Sequence, residues 1–284
     1  MSDAYQIITD RITTLVEQGT VPWQQPWNAT QGMPRNLYSN APYRGANLWL
    51  LGSASYACPF WVTFKQAKEH KGMVRKGEHG VPIIYWSTYT KEDKETGKTR
   101  KAFFLKHYTV FNATQCDGLV IPDIDVPTYD HTPIERADKL VGTMPHKPTI
   151  THGDTQAYYR PSSDSVHMPD LQTFPKREAY YSTLFHELGH STGHESRLNR
   201  STLKDMCRFG DTNYSKEELV AEMTATYLCG VVGIENATID NSAAYLKGWL
   251  AVLRRDTKLL VQAAAQAQKA ADYIQGIQHT AEGE

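Results

Sequence analysis

Apolar positions near the start of the chain recur at helical spacing. Tyr5, Ile8, Ile12, Leu15 and Val16 form one stripe, with Asp3 placed to cap it and Gly19 to stop it, which predicts an amphipathic helix over residues 4–18. Shorter helices are expected at 46–56 and 64–71. Residues 81–90 and 101–111 are rich in β-branched and aromatic side chains, so they read as two strands joined by a polar hairpin at 91–100, with Gly97 in the turn. Further along, 133–142 reads as a helix, 147–152 and 157–160 as strands, and 165–169 as an edge strand. An edge strand leaves backbone groups unpaired, and an extended peptide can add to them. Residues 173–178 read as a helix start, with Pro175 in the first turn, carried on by Tyr181, Leu184 and Leu188. A second helix is expected over 215–231. A third is expected around the alanine-rich stretch 262–271, because alanine is the best helix former. Helices and short strands in this order predict an α+β fold.

Composition divides the chain. It has 284 residues, 40% hydrophobic and 11% aromatic, enough for two domains with their own cores. The net charge of −1 is an average of unlike halves. Residues 1–120 hold 14 Lys and Arg against 9 Asp and Glu, while residues 121–284 hold 16 against 22. The first part also carries 17 of the 30 aromatic residues and five of the six tryptophans. A proline- and aspartate-rich stretch at 121–133 is the expected linker, which gives domains at 1–125 and 126–284. The start shows no basic segment followed by an apolar run, and no apolar stretch approaches the ~18 residues of a membrane span, so neither export nor a membrane partner is expected. Cys58, Cys116, Cys207 and Cys229 are far apart with no C-x-x-C spacing. They read as reduced thiols of a cytoplasmic protein.

The clearest chemistry lies at 186–190, His-Glu-Leu-Gly-His. On a helix, His186 and His190 share a face one turn apart and can hold one metal ion. Glu187 beside them is placed to take a proton from water. Gly189 between the histidines leaves room for another chain segment to approach. Such centres need a third protein ligand. The longer pattern HExxHxxGxxH would supply a histidine, but that position is Ser196, and His194 comes two residues early. The other source is a carboxylate on the 215–231 helix, where Glu218 and Glu222 lie four apart on one face. The plain alternative makes Ser215 and Glu218 a capping box on a solvated helix start. The run Glu218-Leu-Val-Ala-Glu222 resembles the glutamate-zincin arrangement. That resemblance implies Glu218 as ligand and Glu222 as the buttress of a zinc histidine, with Glu217 and His194 in reserve. The expected cofactor is Zn²⁺, although Mn²⁺ or Co²⁺ also accepts two histidines and a glutamate.

In the first domain, cations and rings interleave: Tyr43-Arg44, Trp61, Lys65, Arg75-Lys76, Tyr85-Trp86 and Lys106-His107-Tyr108. Such mixtures suit single-stranded nucleic acid, with cations on phosphates and rings on unpaired bases. The alternative is ordinary: aromatics in the core and lysines on a solvated surface. Several runs carry a family resemblance: Pro42-Tyr-Arg-Gly-Ala-Asn-Leu48, Trp61-Val-Thr-Phe-Lys-Gln-Ala67, Val74-Arg-Lys-Gly-Glu78, 186–194, 217–222 and Tyr245-Leu-Lys-Gly-Trp249. Over nearly its full length the chain resembles the ArdC antirestriction family of conjugative plasmids, whose first domain is shared with TraC-type primases. The resemblance implies a domain binding single-stranded DNA, followed by a zincin-like metallopeptidase domain, and a role in protecting incoming plasmid DNA from host restriction. Arg44, Lys65, Arg75 and Lys76, which lie in matching stretches, are expected on phosphates, and Tyr43 and Trp86 are assigned to stacking on bases. Two functions stay open at this point. One is a DNA-binding shield. The other is a metallopeptidase brought by DNA to a host restriction protein, with zinc polarising the carbonyl and Tyr158, Tyr159 or Tyr214 available to an oxyanion.

Overall fold

The computed structural model describes residues 4–19, 21, 32–54, 56–92, 99–123, 132–204, 212–234 and 243–278. The hairpin tip, much of the expected linker, Cys207 and the side chains of Tyr214 and Tyr245 lie outside the described residues. The first part holds α1 (Ala4–Glu17), β1 (Arg35–Asn36), α2 (Ala46–Gly52), β2 (Phe60–Thr63), α3 (Phe64–Glu69), β3 (Met73–Val74), β4 (Val81–Glu92), β5 (Thr99–Asn112) and β6 (Cys116–Asp117). The second holds α4 (Pro133–Thr143), β7 (Thr149–His152), β8 (Tyr158–Arg160), β9 (Ser165–Met168), α5 (Arg177–Ser191), α6 (Ser201–Lys204), α7 (Thr212–Val232), α8 (Ala243–Arg255) and α9 (Leu259–Ile274). The fold is α+β, as expected.

The stripe of α1 is buried, with Ile8 and Ile12 fully enclosed. β4 and β5 form the long antiparallel hairpin, at one side of a sheet ordered β1-β2-β5-β4. Thr63 caps α3 through a reciprocal capping box with Gln66. Thr132 and Glu135 do the same for α4, whose Pro133 sits where the helix has no use for an N–H.

Two local expectations are corrected, and one alternative falls away. Ser165–Met168 is not an edge strand: the small sheet runs β7-β9-β8, so β9 is paired on both sides and the edges are β7 and β8. Pro175 lies before α5, which starts at Arg177. Ser215 lies inside α7, where it cannot act as an N-cap.

The core does not stop at the expected linker. One buried cluster runs from Ile8, Ile12 and Trp49 to Leu188, Tyr227, Leu253 and Leu260. The rings of Trp49 and Tyr227 lie 4.4 Å apart, and the Thr9 hydroxyl donates to the Thr257 carbonyl at 2.8 Å. The C-terminal helices thus complete the apolar face of the first part. α9 also lies along α7, where the Thr224 hydroxyl reaches the carbonyls of Val220 and Ala267. No helix among the described residues is long and apolar enough to cross a membrane. Cys58, Cys116 and Cys229 are buried free thiols.

Candidate metal centre and nucleic-acid interface

α5 carries the histidine pair into the interior against α7. Two features of sequence allow this. A Cβ built on Gly189 would lie 3.1 Å from the Ala221 Cα and 3.2 Å from the Thr224 Cβ, so any side chain there would crowd α7 and glycine eases the close approach. Ala221, directly opposite, is itself small and fully buried. The close approach puts Glu218 of α7 against the face shared by His186 and His190.

The two Nε2 atoms lie 3.1 Å apart. Glu218 Oε2 is 3.5 Å from His186 Nε2, and Glu218 Oε1 is 3.5 Å from His190 Nε2. Among the described residues, His186, His190 and Glu218 form the group able to hold a metal ion, with one donor atom of each lying within 4.8 Å of the others. Two neutral-capable imidazoles and a carboxylate, converging from two rigid helices, are the donor set a divalent cation requires. The donors fit such an ion. Glu187, next to His186, is buried at 7% exposure. His194, a reserve ligand, instead meets the Ser196 hydroxyl at 2.8 Å.

The other nitrogen of His190 faces Glu217. Its Nδ1 has no hydrogen-bond partner, and Glu217 Oε1 lies 3.7 Å away. Glu217 is fully buried. Its carboxylate is ion-paired with Arg200, whose Nε donates to Oε2 at 3.1 Å; the Thr202 hydroxyl donates to the same oxygen at 2.6 Å. Burial alone would push the His190 imidazole down, but Glu217, Glu218 and Glu187 outweigh it and raise its pKa to about 9. Burial would raise Glu217, but His190 and Arg200 hold it down at about 2. The carboxylate facing His190 Nδ1 is that of Glu217; Glu222, the expected buttress, lies more than a turn further along α7 and is half-buried. Sequence reading ranked Glu217 only as a spare ligand and missed Arg200. No spacing rule ties Arg200 to α7; only the turn after α5 brings it there.

Two of the three expected oxyanion tyrosines, Tyr158 and Tyr159, have partners of their own. Tyr159 donates to Asp164 at 2.8 Å, and the Tyr158 hydroxyl accepts from Arg160 at 2.9 Å while its ring stacks on His167.

The expected DNA contacts separate by environment. The Lys65 side chain is 84% exposed, with Glu69 at 3.6 Å, and Lys76 is exposed. Arg75 is held inside the molecule's own network, donating to Glu78 at 2.9 Å and to the Thr114 carbonyl at 2.7 Å. Arg44 is paired with Asp272 of α9. Tyr43 is half-buried against the core, and burial raises its hydroxyl pKa despite a hydrogen bond with Asn36. Trp86 is 47% exposed, its ring edge-on to Tyr5, unlike the enclosed Trp49 and Trp61. The hairpin register adds a group. Tyr85 pairs with Lys106 and Ile83 with Tyr108, so Tyr85, Lys106 and Tyr108 share one face of the ribbon. Tyr85 is 60% and Tyr108 44% exposed there. Both tyrosines stood out in the sequence as members of basic-aromatic runs, but their common face needed the register.

A helix-borne histidine pair facing a glutamate of a second helix, beside a small mixed sheet, marks the second part as a zincin-like domain. Its residues 135–266 match the zincin-like metallopeptidase family, and residues 2–111 match the N-terminal domain of anti-restriction factor ArdC. The chain belongs to the ArdC antirestriction family. The crystal structure of the antirestriction ArdC protein from plasmid R388 is 38% identical in its metal-free form, covering 98% of this chain and 100% of that one with a TM-score of 0.77. Its Mn(II)-bound form superposes with a TM-score of 0.76 over 97% and 98% of the two chains, also at 38% identity. An uncharacterized protein, y4eC, of Sinorhizobium fredii (strain NBRC 101917 / NGR234) is 33% identical over 99% of this chain and 94% of its own length. A DNA primase TraC of Escherichia coli is 36% identical over 95% of this chain, which spans only 27% of that primase.

Proposed function

We propose that this chain is an antirestriction factor that binds single-stranded DNA and protects incoming plasmid DNA from host restriction, and that its second domain holds one divalent cation on His186, His190 and Glu218. The observation that carries the DNA reading is the exposed face of Tyr85, Lys106 and Tyr108 on the β4–β5 ribbon. Two rings open to solvent flank a cation, with Trp86 on the other face, and Lys65 and Lys76 are exposed cations that suit phosphates. Unpaired bases can stack on such rings, whereas duplex bases are already stacked on each other. A salt-titrated binding measurement with the full chain tests it. Single strands should bind more tightly than duplex, with affinity falling as salt rises. Equal affinity for both forms removes the stacking argument.

A second reading, a metallopeptidase acting on a host protein, is favoured by Glu187. This carboxylate is buried immediately beside the histidine pair, where a general base belongs. A bound divalent cation would supply Lewis acidity, polarising a carbonyl and making water easier to deprotonate. Glu187 would then accept the proton, while His186, His190 and Glu218 hold their positions. Zn²⁺, Mn²⁺ and Co²⁺ all suit this donor set. Glu187→Gln separates the readings in a restriction challenge in cells: full protection supports the DNA shield alone, and loss of protection supports the peptidase.

A further inference from the structure

The ion pair behind His190 is an expensive feature for a merely structural role. Glu217 is fully buried, and the Arg200 side chain is 4% exposed. Two charges taken out of water recover little net stability from each other, and a well-packed apolar pair commonly does as well. The pair is also elaborately held. Arg200 donates to the Thr192 hydroxyl at 2.6 Å and to the Gly189 carbonyl at 2.8 Å, while its other donors and Thr202 occupy the Glu217 carboxylate. Gly193 leaves the space for this: a Cβ there would lie 3.0 Å from Arg200 Nη2. Arg200 thus ties the last turn of α5, which carries His190, to the α7 carboxylate that faces the His190 ring.

This arrangement gives the two nitrogens of one imidazole different tasks. Nε2 points at His186 and Glu218. Nδ1 points at a carboxylate that cannot swing away. A histidine ligand commonly donates its second N–H to such a group, which fixes the tautomer and the ring orientation. We infer that Glu217, clamped by Arg200, is a positioning residue that presents His190 Nε2 to the cation. The inference rests on the proposed metal centre.

The test is a Mn²⁺ titration of the full chain, following the electron paramagnetic resonance signal of free Mn²⁺, with thermal melts to establish folding. E217Q should bind Mn²⁺ about 10–100-fold more weakly. Because E217Q strands a buried guanidinium, the double variant E217Q/R200M is measured beside it. That variant removes both charges and restores a neutral interior. If Glu217 serves only to neutralise Arg200, the folded double variant regains wild-type affinity, and the inference is overturned. If Glu217 positions His190, the double variant folds and stays weak. H186A is the control for the centre itself. A wild-type chain that binds no Mn²⁺, or H186A binding like wild type, overturns the metal centre and this inference with it. Loss in H186A with wild-type affinity in a folded E217Q or E217Q/R200M overturns the inference alone.

Discussion

The guanidinium of Arg44 is paired with the carboxylate of Asp272, 228 residues further along the chain. The side chain of Asp272 is 7% exposed, and Gln268 donates to its other oxygen at 3.1 Å while accepting from the Gly45 N–H at 3.2 Å. Arg44 therefore joins the loop before α2 to α9, which packs in turn on the helix bearing Glu218. Arg44→Ala should lower stability by about 1–2 kcal/mol, the range for a hydrogen bond to a charged group with one partner half-exposed. The salt dependence of DNA binding should hardly change. A lower salt slope at unchanged melting temperature would instead place Arg44 on a phosphate.

Lys65 and Lys76 should behave in the opposite way. Each is exposed, so its removal should leave the melting temperature intact and flatten the salt slope by roughly 0.7 on single strands. Tyr85→Ala should cost about 1–3 kcal/mol of binding and leave the slope alone, because a ring makes no charge contact. One series of titrations separates the two classes. Tyr85→Ala binding like wild type would remove the ribbon face from the interface.

The purified chain should carry about one divalent metal ion, read by elemental analysis. Glu218→Ala should lose it, since the two histidines alone leave too few donors. Glu187→Gln should retain it. Metal kept in the Glu218 variant would shift the third ligand to another carboxylate.

Gly189→Ala adds one methyl where α5 meets α7 most closely. The backbone of Ala221 stands 3.1 Å from it, and backbone cannot turn aside as a flexible side chain would. Overpacking of this kind costs about 1–3 kcal/mol. The metal affinity should fall as well, because spreading the helices withdraws Glu218 from the histidines. A stable variant with unaltered affinity would show that the helices have slack.

Arg197 holds the turn after α5 to the small sheet. Its side chain is fully buried and donates to the carbonyls of Ser191 and His146, at 2.7 and 3.0 Å, and to Asp164. Arg197→Met should destabilise by about 2 kcal/mol, less than for an enclosed pair because the Asp164 side chain is 33% exposed. Burial would raise the Asp164 carboxyl, but Arg197 and Tyr159 outweigh it and hold the group below its ordinary value of 3.8. A lowered folded-state value means that this stabilisation is present above about pH 4 and is lost as pH falls through the lowered value. Denaturation curves from pH 5 down to 2 should therefore converge for wild type and Arg197→Met. Parallel curves would count against the coupling.

Local pattern determined a good deal by itself. The stripe of α1, the β4–β5 hairpin and the helix carrying His186 and His190 were legible because each depends on spacing within one or two segments, whereas spacing put Glu218 and Glu222 on one face and only the family resemblance preferred Glu218. Gly189 was legible too, as a place where something had to come close. The sheet order was not, so Ser165–Met168 read as an edge although it lies between β7 and β8: a strand's own sequence does not say how many neighbours it has. Nor did spacing reveal that Arg44 belongs to Asp272, or that Glu217 and Arg200 stand behind His190. Those pairs join segments far apart in the chain, and only the packing of α5, α7 and α9 decides which charges are buried together. Hydrogen bonding, in turn, separates a cation that extends into solvent, such as Lys65, from one already engaged within the protein, such as Arg75.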